Sequence, residues 1–294
     1  MTTKQDGVPT VWTKIPIVIR AILSGVLIAL LAANVWPLFL IHLGAPLAAL
    51  CEVAFFVVYI WWAGGGGAPQ RTKTIRATAF RRKKLSKPEW AWGILAAVFF
   101  AVTIHSSIVL LFRFVPFPLE AFRRGYNSSF IPSLHLKWLA VVFSAASAGI
   151  CEETGFRGYM QRPLEQRYGS IVAILISSLF FTVVHLTKGW AMIGMVPIVF
   201  GAGVLLGLLA WSSGSLIPCM IGHTIMDIGL FAYWWTGIAG DFTMKPIAQT
   251  GADRAFLIAC AVFGISLFIV FSSISRLRSK TAAYISKKVI PDGS

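Results

Sequence analysis

Long apolar segments divide most of this chain, and they constrain its fold more than any other feature of the sequence. A helix needs about 20 apolar residues to cross the hydrocarbon core of a bilayer. Charged residues make up only 13% of the chain, whereas a soluble domain carries about a quarter. The sequence therefore predicts an all-α, polytopic membrane bundle of about eight transmembrane helices, forming one structural domain overall. The predicted spans are 16–36, 44–63, 90–112, 137–160, 170–187, 190–211, 215–236 and 255–275.

Basic residues are concentrated in one loop between the second and third spans. The chain carries 26 Lys and Arg against 11 Asp and Glu, which in a soluble protein would suggest nucleic acid binding. Here many of them lie between residues 71 and 87, and loops rich in Lys and Arg stay in the cytoplasm. We therefore predict that both termini are cytoplasmic in a bacterial cell membrane, that loop 71–87 contacts anionic lipid head groups, and that no nucleic acid binds.

Few ionisable side chains lie inside the spans, and their spacing brings several of them to one depth. Glu152 and His185 are symmetric about the predicted turn at 168–169, so antiparallel helices carry both to the same level. His223 and Asp227 lie one turn apart on the seventh span, at a similar depth. Ionisable groups inside a membrane are costly and usually functional. We therefore predict that these four side chains converge in the cytoplasmic half of the bilayer.

Three short motifs in this part of the chain resemble those of one protein family. EETGFR at 152–157 resembles the motif EExxxR, FTVVH at 181–185 resembles FxxxH, and HTIMD at 223–227 resembles Hxxx(N/D). These motifs are typical of the CPBP family, also called ABI, which includes type II CAAX prenyl proteases and bacteriocin-processing enzymes. The resemblance covers about residues 137–240, the expected catalytic core. Residues 1–136 then supply N-terminal transmembrane helices and the basic loop, and 241–294 supply the last transmembrane helix and a basic tail.

The resemblance implies an intramembrane endopeptidase that hydrolyses a peptide bond near the cytoplasmic membrane face. Its substrate would be a CAAX-type or other membrane-associated peptide or protein. By motif position, Glu152 is the general base and His185 its partner in activating water, while His223 and Asp227 stabilise the oxyanion from the other side. The residues expected to surround and orient these groups are Glu153, Arg157 and Phe181.

Position 227 departs from the prenyl proteases, which typically carry asparagine there. Asparagine donates a hydrogen bond at any pH, whereas aspartate donates only when it is protonated, as carboxylic acids in apolar sites can be. Otherwise Asp227 orients His223 or binds a metal. The sequence demands no cofactor and contains no HExxH motif, yet Glu152, His185, His223 and Asp227 could ligate zinc, so metal dependence stays open.

Two other functions compete with the protease interpretation. A non-catalytic membrane protein of the same fold, such as a bacteriocin-immunity factor or a partner-binding scaffold, would not need the polar motifs. A proton-coupled transporter also places acids and histidines in the membrane, but the sequence shows no inverted repeat and no matched pair of broken helices. The complete set of motifs favours the protease.

Overall fold

The computed structural model describes residues 11–186, 190–238 and 244–289, and within these ranges the chain forms helices and no β-strand. Two π-helical segments, Ala148–Glu152 and Thr154–Met160, join the helices Leu134–Ser147 and Gln161–Tyr168 in one long helical span. The all-α prediction is thus confirmed. The α-helices of seven or more residues are α1 Ile17–Ala33, α2 Val35–Leu43, α3 Ala45–Ala63, α4 Lys73–Ala79, α5 Lys87–Phe114, α6 Leu119–Gly125, α7 Leu134–Ser147, α8 Gln161–Tyr168, α9 Ser170–Leu186, α10 Val196–Ser213, α11 Ile217–Trp235 and α12 Arg254–Val289.

Six segments in the described part are long and apolar enough to cross a membrane, which points to an integral membrane protein. α9 has 17 residues and is shorter than these segments, and α11 carries His223 and Asp227 among its apolar residues. The polytopic bundle is confirmed, whereas the count of eight spans stays a prediction. The six segments are Ile17–Leu43, Ala45–Ala63, Lys87–Phe114, Leu134–Tyr168, Ile193–Ser213 and Arg254–Arg278.

Glycines set two boundaries that differ from the predicted ones. The first span continues beyond residue 36 to Leu43, where Gly44 turns the chain with a φ of 73°. The fourth span continues beyond residue 160 to Tyr168, where Gly169 has a φ of 84°. Because glycine lacks a Cβ atom, it adopts such positive φ values without steric cost. The helices therefore end where the backbone can reverse rather than where the apolar pattern weakens.

Close packing fixes the two π-helical segments between α1 and α11. A Cβ atom added to Gly155 would lie 2.6 Å from the Cβ atom of Ala29 on α1. One added to Gly149 would lie 2.9 Å from the carbonyl oxygen of Met220 on α11. Small residues at helix crossings allow such close approach in membranes. The position of the fourth span relative to α1 and α11 therefore depends on these two glycines.

The main apolar core supports α11 from the side away from α7. It lies where α5, α10, α11 and α12 meet, and it includes Phe100, Leu206, Cys219 and Leu277, each at most 1% exposed. Tightly packed interiors tolerate little displacement, so this core holds α11 in a fixed position.

The two ends of the bundle differ in the loops that they carry. The basic end contains the loop at 64–86 between α3 and α5 and the turns at Gly169 and Gly214. There Arg81 donates to the carbonyl oxygen of Arg157 and forms a 2.7 Å ion pair with Glu165, which ties the loop to α8. The opposite end contains the connection from α5 through α6 to α7, and the connection between α11 and α12.

Only part of the predicted lipid-contacting loop is exposed. Arg76 is 2% exposed and, like the buried Arg81, has protein partners. Contact with anionic lipid head groups therefore stays a prediction for the exposed residues. The carbonyl groups that accept hydrogen bonds from Arg76 are those of Trp62, Gly66, Gly67 and Pro69. The exposed basic residues of the loop are Arg71, Lys73, Arg82, Lys84 and Lys87.

Candidate active site

The two glutamates and the arginine of the fourth span lie in or beside the π-helical segments. Glu152 ends the first segment, Arg157 lies in the second, and Glu153 lies between them. π-Helical turns are rare and occur frequently at functional sites. The Glu152 side chain is 17% exposed and lines a cavity, whereas the side chains of Glu153 and Arg157 are fully buried. The adjacent glutamates therefore have different environments.

The carboxylate of Glu153 connects the fourth span to α11. Its Oε1 accepts hydrogen bonds from Arg157 Nη1 at 2.6 Å and from His223 Nδ1 at 2.8 Å. Arg157 also donates to the carbonyl oxygen of Gly203 at 3.2 Å, and its guanidinium lies 4.4 Å above the Phe181 ring. A buried ion pair needs such additional partners to offset its loss of hydration. The direct contact between Glu153 and His223 is one that the motif spacing did not indicate.

This contact fixes one hydrogen on the His223 ring. A carboxylate that is paired with arginine is ionised and only accepts hydrogen bonds, so Nδ1 of His223 carries a hydrogen. Nε2 of the same ring lies 3.5 Å from Oδ2 of Asp227. Either Nε2 carries a second hydrogen and Asp227 is ionised, or Asp227 is protonated and donates toward Nε2. In both forms one hydrogen is shared between the two side chains.

Glu152 and His185 form a second pair on the cavity wall. Oε2 of Glu152 lies 4.0 Å from Nε2 of His185, which is too long for a direct hydrogen bond. Nδ1 of His185 lies 2.8 Å from the carbonyl oxygen of Phe181. Because a carbonyl oxygen only accepts, Nδ1 carries the hydrogen, and a neutral ring presents Nε2 as an acceptor. A water molecule that enters this place can donate one hydrogen to Glu152 and the other to His185.

One cavity of about 450 Å³ is lined by all four predicted catalytic side chains. From Glu152, His185, His223 and Asp227 it extends toward the opposite end, where Trp235 ends α11. Toward the basic end the bundle is filled by side chains that are at most 1% exposed. These are Arg157, Met160, Leu164, Leu216 and Cys219.

The described side chains do not fit a metal ion. Within residues 11–186, 190–238 and 244–289, no three His, Cys, Asp or Glu residues form a group that could hold one. Zinc requires lone pairs of several ligands at about 2 Å. The contacts of the candidate ligands join them in pairs, Glu152 with His185 and His223 with Asp227. The zinc site that the sequence leaves open therefore has no preformed ligand set in this arrangement.

Part of the cavity wall comes from helices outside the motif region. His105 on α5, Trp36 on α2 and Tyr126 after α6 line it, and no motif in the sequence marks them. Glu52 on α3 is 0% exposed and lies near Ser147, which also lines the cavity. The sequence gives one signal for Glu52, which is that it is the solitary acidic residue of the second predicted span.

The fold and the site define a helical membrane protein with a carboxylate and histidine centre inside the bundle. Residues 132–229 match the family model described as Rce1-like, type II CAAX prenyl endopeptidase. The matched segment contains all three motifs, and the match confirms the resemblance to the CPBP family. It supports an enzyme of the CAAX protease type. No curated protein and no solved structure matches the chain.

The cavity extends in a direction that conflicts with two sequence predictions when they are taken together. The sequence places the basic loop in the cytoplasm and also expects a site near the cytoplasmic face. His223 lies about 9 Å along α11 from its basic end, since it is the seventh residue of that helix. The cavity nevertheless extends away from this end. Depth counted along a helix does not determine the side from which a buried group is reached.

Proposed function

We propose that this protein is an intramembrane endopeptidase that hydrolyses a peptide bond of a membrane-associated peptide or protein. The observation that carries the proposal is the pair of Glu152 Oε2 and His185 Nε2, 4.0 Å apart on the cavity wall. Two acceptors at this separation can bind both hydrogens of one water molecule, which directs the lone pairs of its oxygen into the cavity. The family match supports the same reaction class.

Glu152 acts as the general base in this proposal. The water oxygen attacks the carbonyl carbon of the peptide bond while its proton moves to Glu152 Oε2, and the carbonyl oxygen becomes an oxyanion. Glu152 then returns the proton to the amide nitrogen as the C–N bond breaks, giving a carboxylic acid and an amine. Proton transfer by a positioned side chain contributes about 10²- to 10⁴-fold to the rate of such reactions.

Asp227 and His223 stabilise the oxyanion. Hydrogen-bond donors that are fixed before the reaction stabilise developing charge strongly in a site with little water. The hydrogen shared between Nε2 of His223 and Oδ2 of Asp227 is available for this role. We assign it to a protonated Asp227, whose single O–H turns from Nε2 of the neutral His223 ring to the oxyanion as the negative charge develops. The contact of 3.5 Å with Nε2 is longer than an ordinary hydrogen bond and is readily exchanged.

The test is cleavage of a panel of prenylated and unprenylated peptides by the purified protein. We expect the wild type to cleave members of the panel and Glu152→Gln to lose at least about 10²-fold in kcat. Glu120→Gln is the matched control, since Glu120 is exposed and pairs only with Arg123 among the recorded ion pairs of the described residues. Unaltered cleavage by folded Glu152→Gln would refute the role of this residue. A folded wild type that cleaves no peptide would favour the non-catalytic scaffold or immunity function.

A further inference from the structure

The cavity and the exposed basic residues lie at different ends of the bundle. The described residues that line the cavity include Tyr126 after α6, Met195 before α10 and Trp235 at the end of α11. All three lie at the opposite end. None of the described lining residues comes from the loop at 64–86 or from α8. Among the described residues, the cavity therefore extends from Glu152 toward the opposite end and not toward the basic end.

The charge distribution orients the bundle in the membrane. Loops rich in Lys and Arg remain in the cytoplasm. This tendency applies to short loops and to residues near the ends of the spans. Among the side chains that the structure describes, the basic end has the larger number of exposed basic residues. Its buried arginines hold the loop at 64–86 against α8 and the end of α3. Exposed basic residues at the basic end are Lys14, Arg71, Lys73, Arg82, Lys84, Lys87, Arg167, Arg276 and Arg278, whereas those at the opposite end are Arg123, Arg124, Lys245 and Arg254.

We propose that the cavity opens on the extracytoplasmic side of the membrane and that the substrate presents its cleaved bond there. The substrate class is an exported polypeptide, or a membrane protein whose external segment enters the cavity. A cytosolic prenylated protein approaches the other face and cannot reach Glu152 through the buried layer formed by Arg157, Met160 and Leu216. The substrate class rests on the proposed endopeptidase function, whereas the orientation of the cavity does not.

The walls near the opening favour apolar residues beside the cleaved bond. Phe231 stacks on Trp235 at 5.1 Å, and Tyr126 packs on Phe231 at 5.9 Å. These three rings line the cavity between Asp227 and the opposite end. Aromatic walls of this kind favour the burial of apolar side chains. The substrate is thus an extended external segment with apolar residues next to the scissile bond.

Orientation is tested by labelling single cysteines with a membrane-impermeant maleimide in right-side-out and inside-out vesicles. The background carries Cys51→Ser and Cys260→Ser, and keeps the buried Cys151 and Cys219. The three probes are Ser129→Cys at the opposite end, Gln166→Cys at the basic end and Leu230→Cys in the cavity wall. The unsubstituted background gives the labelling baseline.

We expect Ser129→Cys and Leu230→Cys to react in right-side-out vesicles, and Gln166→Cys to react in inside-out vesicles. If Leu230→Cys reacts from the same side as Gln166→Cys, the cavity opens at the basic end and the proposal is wrong. If Ser129→Cys and Leu230→Cys both react in inside-out vesicles, the cavity faces the cytoplasm and the proposal is equally wrong. Both readouts are independent of enzymatic activity.

The substrate class is tested in sealed proteoliposomes with a membrane-impermeant peptide from the panel that the detergent-purified enzyme cleaves. The fraction of molecules with Ser129 outward is measured by labelling. Cleavage of externally added peptide should rise in proportion to this fraction. Cleavage that instead follows the fraction with Gln166 outward would overturn the proposal while leaving the endopeptidase function intact. A protein inactive in detergent would refute the endopeptidase function, and with it the substrate class, whereas the labelling result would still decide the orientation.

Discussion

Glu153 accepts a hydrogen bond from His223 across 2.8 Å, and this contact links the fourth span to α11 inside the membrane. The same oxygen atom binds Arg157 at 2.6 Å, so the positive charge of the guanidinium and the orientation of His223 both depend on one carboxylate. Glu152, the preceding residue, lies 4.0 Å from Nε2 of His185 and faces the cavity. In the proposed mechanism Glu152 is therefore the base and Glu153 is a positioning residue.

Glu153→Gln should lower the amount of folded protein as well as its activity. The amide cannot neutralise Arg157, and removing one partner of a buried ion pair costs about 3–5 kcal/mol. We expect Glu153→Gln to lose folded protein in a detergent thermal-stability assay, whereas Glu152→Gln keeps the wild-type amount. Equal stability of the two variants would contradict this division of roles.

Glycine replacements at the helix crossings should destabilise the bundle. Gly149→Ala and Gly155→Ala place a Cβ atom against Met220 and Ala29, and overpacking of this kind costs about 1–3 kcal/mol. Gly264→Ala on α12 is the control, since a Cβ atom there meets nothing within 4 Å. The measurement is the thermal unfolding midpoint in detergent. A control that is destabilised as much as the two test variants would show that packing at the crossings is not the cause.

The ion pair between Arg113 and Asp253 at the opposite end should make stability depend on pH. The hydrogen bond from the Arg113 guanidinium, together with that from the Phe256 N–H, lowers the pKa of Asp253 from 3.8 to about 2. A lowered pKa in the folded state stabilises the protein above pH 4, and this contribution is lost as the pH falls from about 4 to 2.

Asp253→Asn isolates the charge of this ion pair, because asparagine can still accept the hydrogen bond from Phe256 that caps α12. The variant should unfold at a lower temperature than the wild type at pH 7. The difference should shrink between pH 4 and pH 3. A constant difference over this range would show that the ionisation of Asp253 is not responsible.

Removal of metal should leave activity unchanged within about twofold. The reason is that the described His, Cys, Asp and Glu residues form no group suited to a metal ion. The experiment compares initial rates before and after dialysis against a strong chelator. Loss of activity that added zinc restores would contradict the water activation assigned to Glu152 and His185 alone.

The apolar spacing predicts the helical bundle well because membrane helices must satisfy their own backbone hydrogen bonds. Motif spacing likewise predicts that Glu152 and His185 lie at one depth, because the two residues are about equally far in sequence from the turn at Gly169. The contact of Glu153 with His223 could not be predicted in this way. It depends on how closely the fourth span crosses α11, which is set by Gly149.

The direction in which the cavity extends could not be predicted from the sequence either. It follows from which end of the bundle is filled, and the buried residues at the basic end come from several separate helices and loops. Arg157 and Met160 belong to the fourth span, Leu216 precedes α11, and Cys219 lies within it. None of these segments by itself indicates which end of the bundle is filled, and their joint effect appears only once they are packed together.

The final prediction concerns Asp227, whose proposed role as a neutral donor can be separated from an ionised one. Asparagine at this position supplies two hydrogens, one for Nε2 of His223 and one for the oxyanion, and it needs no proton to do so. Asp227→Asn should therefore keep activity within about tenfold of the wild type at neutral pH, which is less than 1.4 kcal/mol in the barrier. Its activity should also extend to higher pH, because the wild type loses its donor when the carboxyl group ionises.

Asp227→Leu is the matched control, since it fills a similar volume and donates no hydrogen bond. It should lose at least about 10²-fold in kcat, as oxyanion donors do when they are removed. The decisive measurement is the pH–rate profile of the three proteins. If Asp227→Asn is as inactive as Asp227→Leu at every pH, the ionised form is the functional one: Asp227 then serves to hold a protonated His223, whose Nε2 hydrogen becomes the donor to the oxyanion.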